Sequence, residues 1–140
     1  MTTIATDGRT MSSDGLVTSN GTIFGTTFAK IAKLKDGRIA GSAGSAFDIT
    51  PFHDWLEGSG DFPNVEENFD ALVIYPDGSC RSFDGKGRSV PEQVPTACGS
   101  GRELAIGAMM AGASPKRAIK IASSRDCCTG GKITTLTVGK

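Results

Sequence analysis

Residues 1–15 read "MTTIATDGRTMSSDG", and the fold turns on how that stretch pairs with itself. Hydroxyl and apolar side chains flank Asp7-Gly8, a dipeptide that favours chain reversal because glycine takes positive φ without steric cost. The stretch reads as a hairpin of residues 2–6 and 9–14 rather than a frayed polar start. If the loop is Asp7-Gly8 alone, Thr6 faces Arg9, Thr2 faces Ser13, and Asp14 lies opposite the place of Met1. If the loop has four residues, Asp14 faces Thr3. The two registers differ by an even step, so Asp14 keeps one face in both. Either way a carboxylate lies beside the amino terminus.

Composition narrows the classes. The 140 residues are expected to form one domain, 1–140, with a sizeable core. Fifteen basic and fifteen acidic side chains cancel, so the basic footprint that phosphates require is missing and no polybasic segment suits anionic lipid. No apolar run reaches the roughly 18 residues of a membrane span, and no basic-then-apolar leader opens the chain. The expectation is a cytoplasmic protein with neither nucleic acid nor membrane as partner. Cys80, Cys98, Cys127 and Cys128 do not suggest a disulfide framework, and His53 is the only histidine. The thiols are expected to be reduced and mostly buried.

Further along, 28–34 ("FAKIAKL") has a strand pattern, followed by Asp36-Gly37 and a second strand from residue 38. A helix is expected within 45–60, with Pro51 inside its first two turns. Residues 70–85 read as a hairpin through Asp77-Gly78. Helices are expected from near Ser100 and from Ser114, the latter with Ser114 as cap and Pro115 at the first helical position. "KITTLTVG" closes the chain as a strand. Strands and helices come in groups, which argues for α+β with antiparallel sheets rather than an alternating parallel sheet.

Three residues carry a possible chemistry. Met1 is expected to be trimmed, because threonine is small, and this makes Thr2 the first residue. A terminal threonine joins a hydroxyl nucleophile to an α-amine whose reference pKa lies near 7.7–8.0, so the amine can accept the hydroxyl proton. Lys30 shares a strand face with Phe28, Ala32 and Leu34, so it is expected to be partly desolvated and to need a carboxylate. Asp14 is one candidate. Taken singly, each residue has an ordinary explanation: a chance "MTT", a snorkelling lysine, a turn aspartate.

The far end supplies a fourth anchor. "SSRDCCTGGKITTLTV" (123–138) and "ACGSGRELA" (97–105), with the ordered threonine, aspartate, lysine and "AGSAG" at the front, resemble proteasome β subunits and the bacterial HslV-type peptidase. The resemblance implies an N-terminal nucleophile hydrolase: a four-layer αββα sandwich of two antiparallel sheets, here with a reduced first helix layer. It implies Thr2 as nucleophile and Asp14 as support for Lys30. It also implies Gly41 as the oxyanion-stabilising N–H, and Ser100, Asp126 and Thr129 around the terminal amine. The carbonyls of Ser123, Asp126 and Thr129 are implied as a site for a monovalent or divalent cation, with no other cofactor required. A homo-oligomer, a polypeptide substrate and an ATPase unfoldase partner follow from the same likeness. The chain departs from the family in a shorter first hairpin and in the little room that 61–78 leaves for a second long helix. A small-amide hydrolase or a non-catalytic assembly subunit on the same fold are the alternatives.

Overall fold

The computed structural model describes residues 2–58 and 60–139; the expected trimming of Met1 lies outside them. Eleven strands and three helices are described: β1 (Thr3–Thr6), β2 (Thr10–Ser13), β3 (Val17–Ser19), β4 (Thr22–Gly25), β5 (Ile31–Lys33), β6 (Ile39–Ala43), α1 (Ile49–Leu56), β7 (Asp70–Ile74), β8 (Cys80–Phe83), β9 (Ser89–Pro91), β10 (Thr96–Gly99), α2 (Arg102–Met110), α3 (Pro115–Ser123) and β11 (Thr134–Thr137). One sheet runs β10-β1-β2-β11 and a second β5-β6-β7-β8-β9, while β3 and β4 form a separate ribbon. Every pairing is antiparallel.

The first hairpin takes the longer loop. Ile4 pairs with Ser13 and Thr6 with Met11, so Asp14 follows opposite Thr3. Local chemistry selects this register. The Asp7 carboxylate accepts the N–H groups of Arg9 and Thr10, both at 2.9 Å, and Gly8 sits at φ 95°. The Thr6 hydroxyl accepts the Gly8 N–H and donates to the Thr10 carbonyl. A two-residue turn would leave these groups unmatched.

Apolar side chains fill three places. Ile4 and Met11 of the first sheet meet Ile39, Leu72 and Ile74 of the second. Ala5 and Ala97 turn the other way onto Ala105, Met109, Ala118 and Ile119 of α2 and α3. Ala40, Ala71 and Val73 turn onto Phe52 of α1, with Phe69 and Phe83. Apolar neighbours on either side of the central strands explain runs such as "ALVI" that are buried throughout.

Some expectations shift. Only Ile31–Lys33 of the expected 28–34 strand is paired, so Lys30 stands just before the sheet, and Phe28 is 42% exposed. β9 and β10 had no clear sequence signal. α1 is shorter than expected: a 3₁₀ turn, Ala46–Asp48, capped by Ser45, precedes it. Pro51 falls in its first turn, where a missing N–H costs nothing. In α3, Ser114 accepts the Arg117 N–H at 3.1 Å and Pro115 opens the helix. Cys80 and Cys98 are buried, but Cys127 is exposed and Cys128 half-buried, so the thiols divide evenly rather than being mostly buried. Among the described residues, no helix is long and apolar enough to cross a membrane.

Candidate active site

Asp14 stands where three chain segments converge. Its N–H donates to the Thr3 carbonyl at 3.3 Å. Its carboxylate accepts Thr3 N–H at 3.2 Å, Gly130 N–H at 3.0 Å and Lys30 Nζ at 3.0 Å. Gly15 makes the convergence possible. A Cβ there would stand 2.6 Å from the Thr26 carbonyl and 2.7 Å from that of Lys132, so only glycine lets the chain pass between them.

Lys30 is 2% exposed and Asp14 fully buried. The Lys30 ammonium also donates to the Leu16 carbonyl at 2.6 Å and to Thr2 Oγ1 at 2.9 Å. Burial pushes the Lys30 pKa below 10.5, and the Asp14 charge and hydrogen bond only partly oppose this. The expectation of a desolvated lysine with Asp14 as its partner is met. The physical cause is wider than one strand face, because the lysine precedes β5 and is enclosed by the first sheet as well.

Thr2 is held from its backbone. Its carbonyl accepts Ser100 N–H at 2.8 Å. Gly99, at φ 98°, lets the chain run against it, since any Cβ there would collide with that carbonyl. The Ser100 hydroxyl donates to Asp126 Oδ2 at 2.5 Å, and the Thr129 hydroxyl bonds the same oxygen at 2.5 Å. Desolvation raises the Asp126 pKa, but the two hydroxyls and the Cys128 N–H together outweigh it and hold the carboxyl below its usual range. Thr129 Oγ1 lies 2.6 Å from Thr3 Oγ1, which accepts the Gly101 N–H at 3.1 Å. Ser100, Asp126 and Thr129 thus come together beside Thr2. Sequence reasoning did not single out Thr3, although it joins this hydroxyl chain to the start of α2; its place next to Thr2 on β1 was the available signal.

Gly41 requires a correction. It lies inside β6, paired with Ile31 on one side and Leu72 on the other. Its N–H therefore points along the sheet towards a neighbouring strand, and Ile31 and Ile4 side chains crowd its Cα. It cannot face a substrate. Gly44, three residues on, follows the last paired residue of β6 at φ 125° and lines the cleft with Thr2 and Lys30. The motif "AGSAG" offers two glycines, and only the end of the strand tells them apart.

That cleft has a volume of about 610 Å³. Leu16 and Ile49 contribute apolar surface to it, and Phe24, Phe28 and Phe47 lie along it, 73%, 42% and 90% exposed. For the implied cation, Ser123 ends α3, and Asp126 and Thr129 follow in the loop. The Asp126 carbonyl accepts Thr129 N–H at 3.2 Å, which leaves it one lone pair for an ion.

No family model matches the chain, and no curated protein matches it in sequence. Solved structures do match in shape. Eukaryotic HslV from Trypanosoma brucei superposes with a TM-score of 0.74 at 18% identity, covering 97% of this chain and 98% of that one. Thiobacillus denitrificans BPH gives 0.74 at 18%, covering 96% and 95%. The same protein in complex with epoxomicin gives 0.77 at 16%, covering all of both chains. The chain shares its fold with HslV and with Thiobacillus denitrificans BPH. It combines α and β elements, with antiparallel sheets and few helices.

Proposed function

We propose that this protein is an N-terminal-threonine peptidase. With Met1 removed, Thr2 Oγ attacks a peptide carbonyl carbon and passes its proton to the Thr2 α-amine. The tetrahedral intermediate collapses, the departing amine takes that proton, and an ester to Thr2 remains. Water then adds to the ester, and its cleavage returns the hydroxyl. The observation that carries this reading is the Lys30 ammonium, 2.9 Å from Thr2 Oγ1 and 3.0 Å from Asp14 Oδ1 inside the protein. A cation there stabilises the alkoxide as it forms, in a setting where water screens little. The Gly44 N–H takes the oxyanion role that Gly41 cannot. Ser100, Asp126 and Thr129 take the role of orienting the Thr2 amine, a reading supported by the Ser100 N–H that holds the Thr2 carbonyl and by the hydroxyls joined on Asp126.

The same reading includes the four-layer αββα arrangement, a cytoplasmic setting, self-assembly, polypeptide substrates and an ATPase unfoldase. It also includes a cation on the carbonyls of Ser123, Asp126 and Thr129. Ser123 ends α3, so its carbonyl has no intrahelical partner, which supports that ion site. The short α1, with no second helix described between it and β7, favours one alternative on the same chemistry: a small-amide hydrolase that does not build paired rings. Hydrolysis of fluorogenic peptides, compared with simple amides, by wild type and Thr2→Ala separates these readings. Turnover of peptides that vanishes in Thr2→Ala supports the peptidase. Turnover that survives removes Thr2 from the mechanism, and turnover of amides alone selects the alternative.

A further inference from the structure

The segment after α3 places two thiols and a carboxylate together at the surface. The donor atoms of Asp126, Cys127 and Cys128 all lie within 4.8 Å of one another, and the two sulfurs are 3.6 Å apart. We propose that these three side chains bind a thiophilic divalent cation of the zinc type.

The spacing suits the ion. Zinc–sulfur bonds of about 2.3 Å at a tetrahedral angle place two sulfurs about 3.8 Å apart. The thiols as they stand need to move by only a few tenths of an ångström. A vicinal disulfide would instead require them to close to about 2.05 Å. Asp126 Oδ2 is taken by Ser100 and Thr129, whereas Oδ1 accepts only the longer bond from Cys128 N–H at 3.2 Å among those described. Oδ1 is therefore the oxygen free to turn to a metal without releasing the hydroxyls. Cys127 is exposed, so the ion can enter, and three protein ligands leave a fourth position for water. Each coordinating thiol gives its proton to solvent. Cys80 and Cys98 do not compete: both are buried, and burial pushes the Cys80 thiol to about 12 and that of Cys98 well above its usual value. This site is distinct in kind from one made of backbone carbonyls, because thiolates select softer ions than oxygen ligands do.

The test is a cadmium titration of the reduced, full chain, followed by the thiolate-to-metal charge-transfer absorbance. The expected result is a band that saturates at one equivalent, withstands a large excess of magnesium, and weakens in apparent affinity at least tenfold in Cys127→Ser and in Cys128→Ser. Both positions reach solvent, so the variants should keep the wild-type circular dichroism. Absence of the band at stoichiometric cadmium, an unchanged band in the Cys127→Ser/Cys128→Ser double variant, or displacement by magnesium would each overturn the site. None of these readouts depends on peptidase activity.

Discussion

The two sheets are buried equally and built on opposite principles. In the first, Thr3, Thr6, Ser12, Ser13 and Asp14 are as inaccessible as Ile4 and Ala5. In the second, the matching positions are Ile39, Ala40, Ala71, Val73 and Ile74. The polar groups of the first sheet are tolerated because each has a partner: Thr3 with Thr129 and Gly101, Thr6 with Thr10, Ser12 with Thr135, Ser13 with the Asp14 carbonyl. A buried polar group left without one costs about 1–3 kcal/mol. The second sheet, Ser42 apart, relies on volume and shape; the first needs directions. A sheet specified by directions can hold a charge at a fixed place: Asp14, just past the end of β2, receives the Lys30 ammonium that reaches it from just before the start of β5.

Substitutions sharpen the contrast. The largest expected effect is on rate. Thr2→Ala should reduce peptide turnover by at least about 10³-fold while leaving the unfolding midpoint nearly unchanged, as measured by steady-state kinetics and urea denaturation. Asp14→Ala should cost both: about 3–5 kcal/mol of stability, because it strands a buried lysine, and turnover with it. Leu72→Ala, the counterpart in the second sheet, should cost about 2–5 kcal/mol from the cavity it leaves. Its folded fraction, assayed at low temperature, should keep wild-type kcat. Equal loss of kcat in Leu72→Ala would erase the distinction between the sheets.

A smaller effect is in pH. The folded pKa of Lys30 lies below its unfolded value of 10.5. Between those two values the unfolded chain binds more protons, so stability rises with pH across the window. The gain is complete above 10.5 and is lost as pH falls through the folded value. The stability of wild type relative to Lys30→Met, measured by urea unfolding at a series of alkaline pH values, should therefore increase with pH. A flat difference would mean that the lysine is solvated. Smallest is Ser100→Ala, which reaches solvent and should change the unfolding free energy by less than about 1 kcal/mol; its effect is expected in kcat rather than KM.

Much of this was legible in the sequence where short-range chemistry decides. Asp7-Gly8 marks the first reversal, and Ser114-Pro115 marks the start of α3, since caps and turns depend on neighbours alone. Asp14 and Lys30 were readable as a pair because the two hairpin registers that the turn allows differ by an even step and keep the aspartate on one face. What the sequence withheld depends on strand ends. "AGSAG" does not say where β6 stops pairing, so Gly41 and Gly44 are equivalent until Ala43 is seen opposite Asp70. β10, "TACG", is too short for alternation to register, yet it brings Ser100 to Thr2. Exposure of Cys127 and Cys128 was hidden for a related reason: the loop between α3 and β11 has no periodicity from which a face can be read.

Peptide mapping by mass spectrometry after treatment with a hydroxyl-directed β-lactone addresses the nucleophile itself. The chain should begin at Thr2 and carry the acyl group on that residue, with no adduct in Thr2→Ala. A retained Met1 with no adduct, or an adduct that persists in Thr2→Ala, would contradict the assignment of Thr2 as the attacking group.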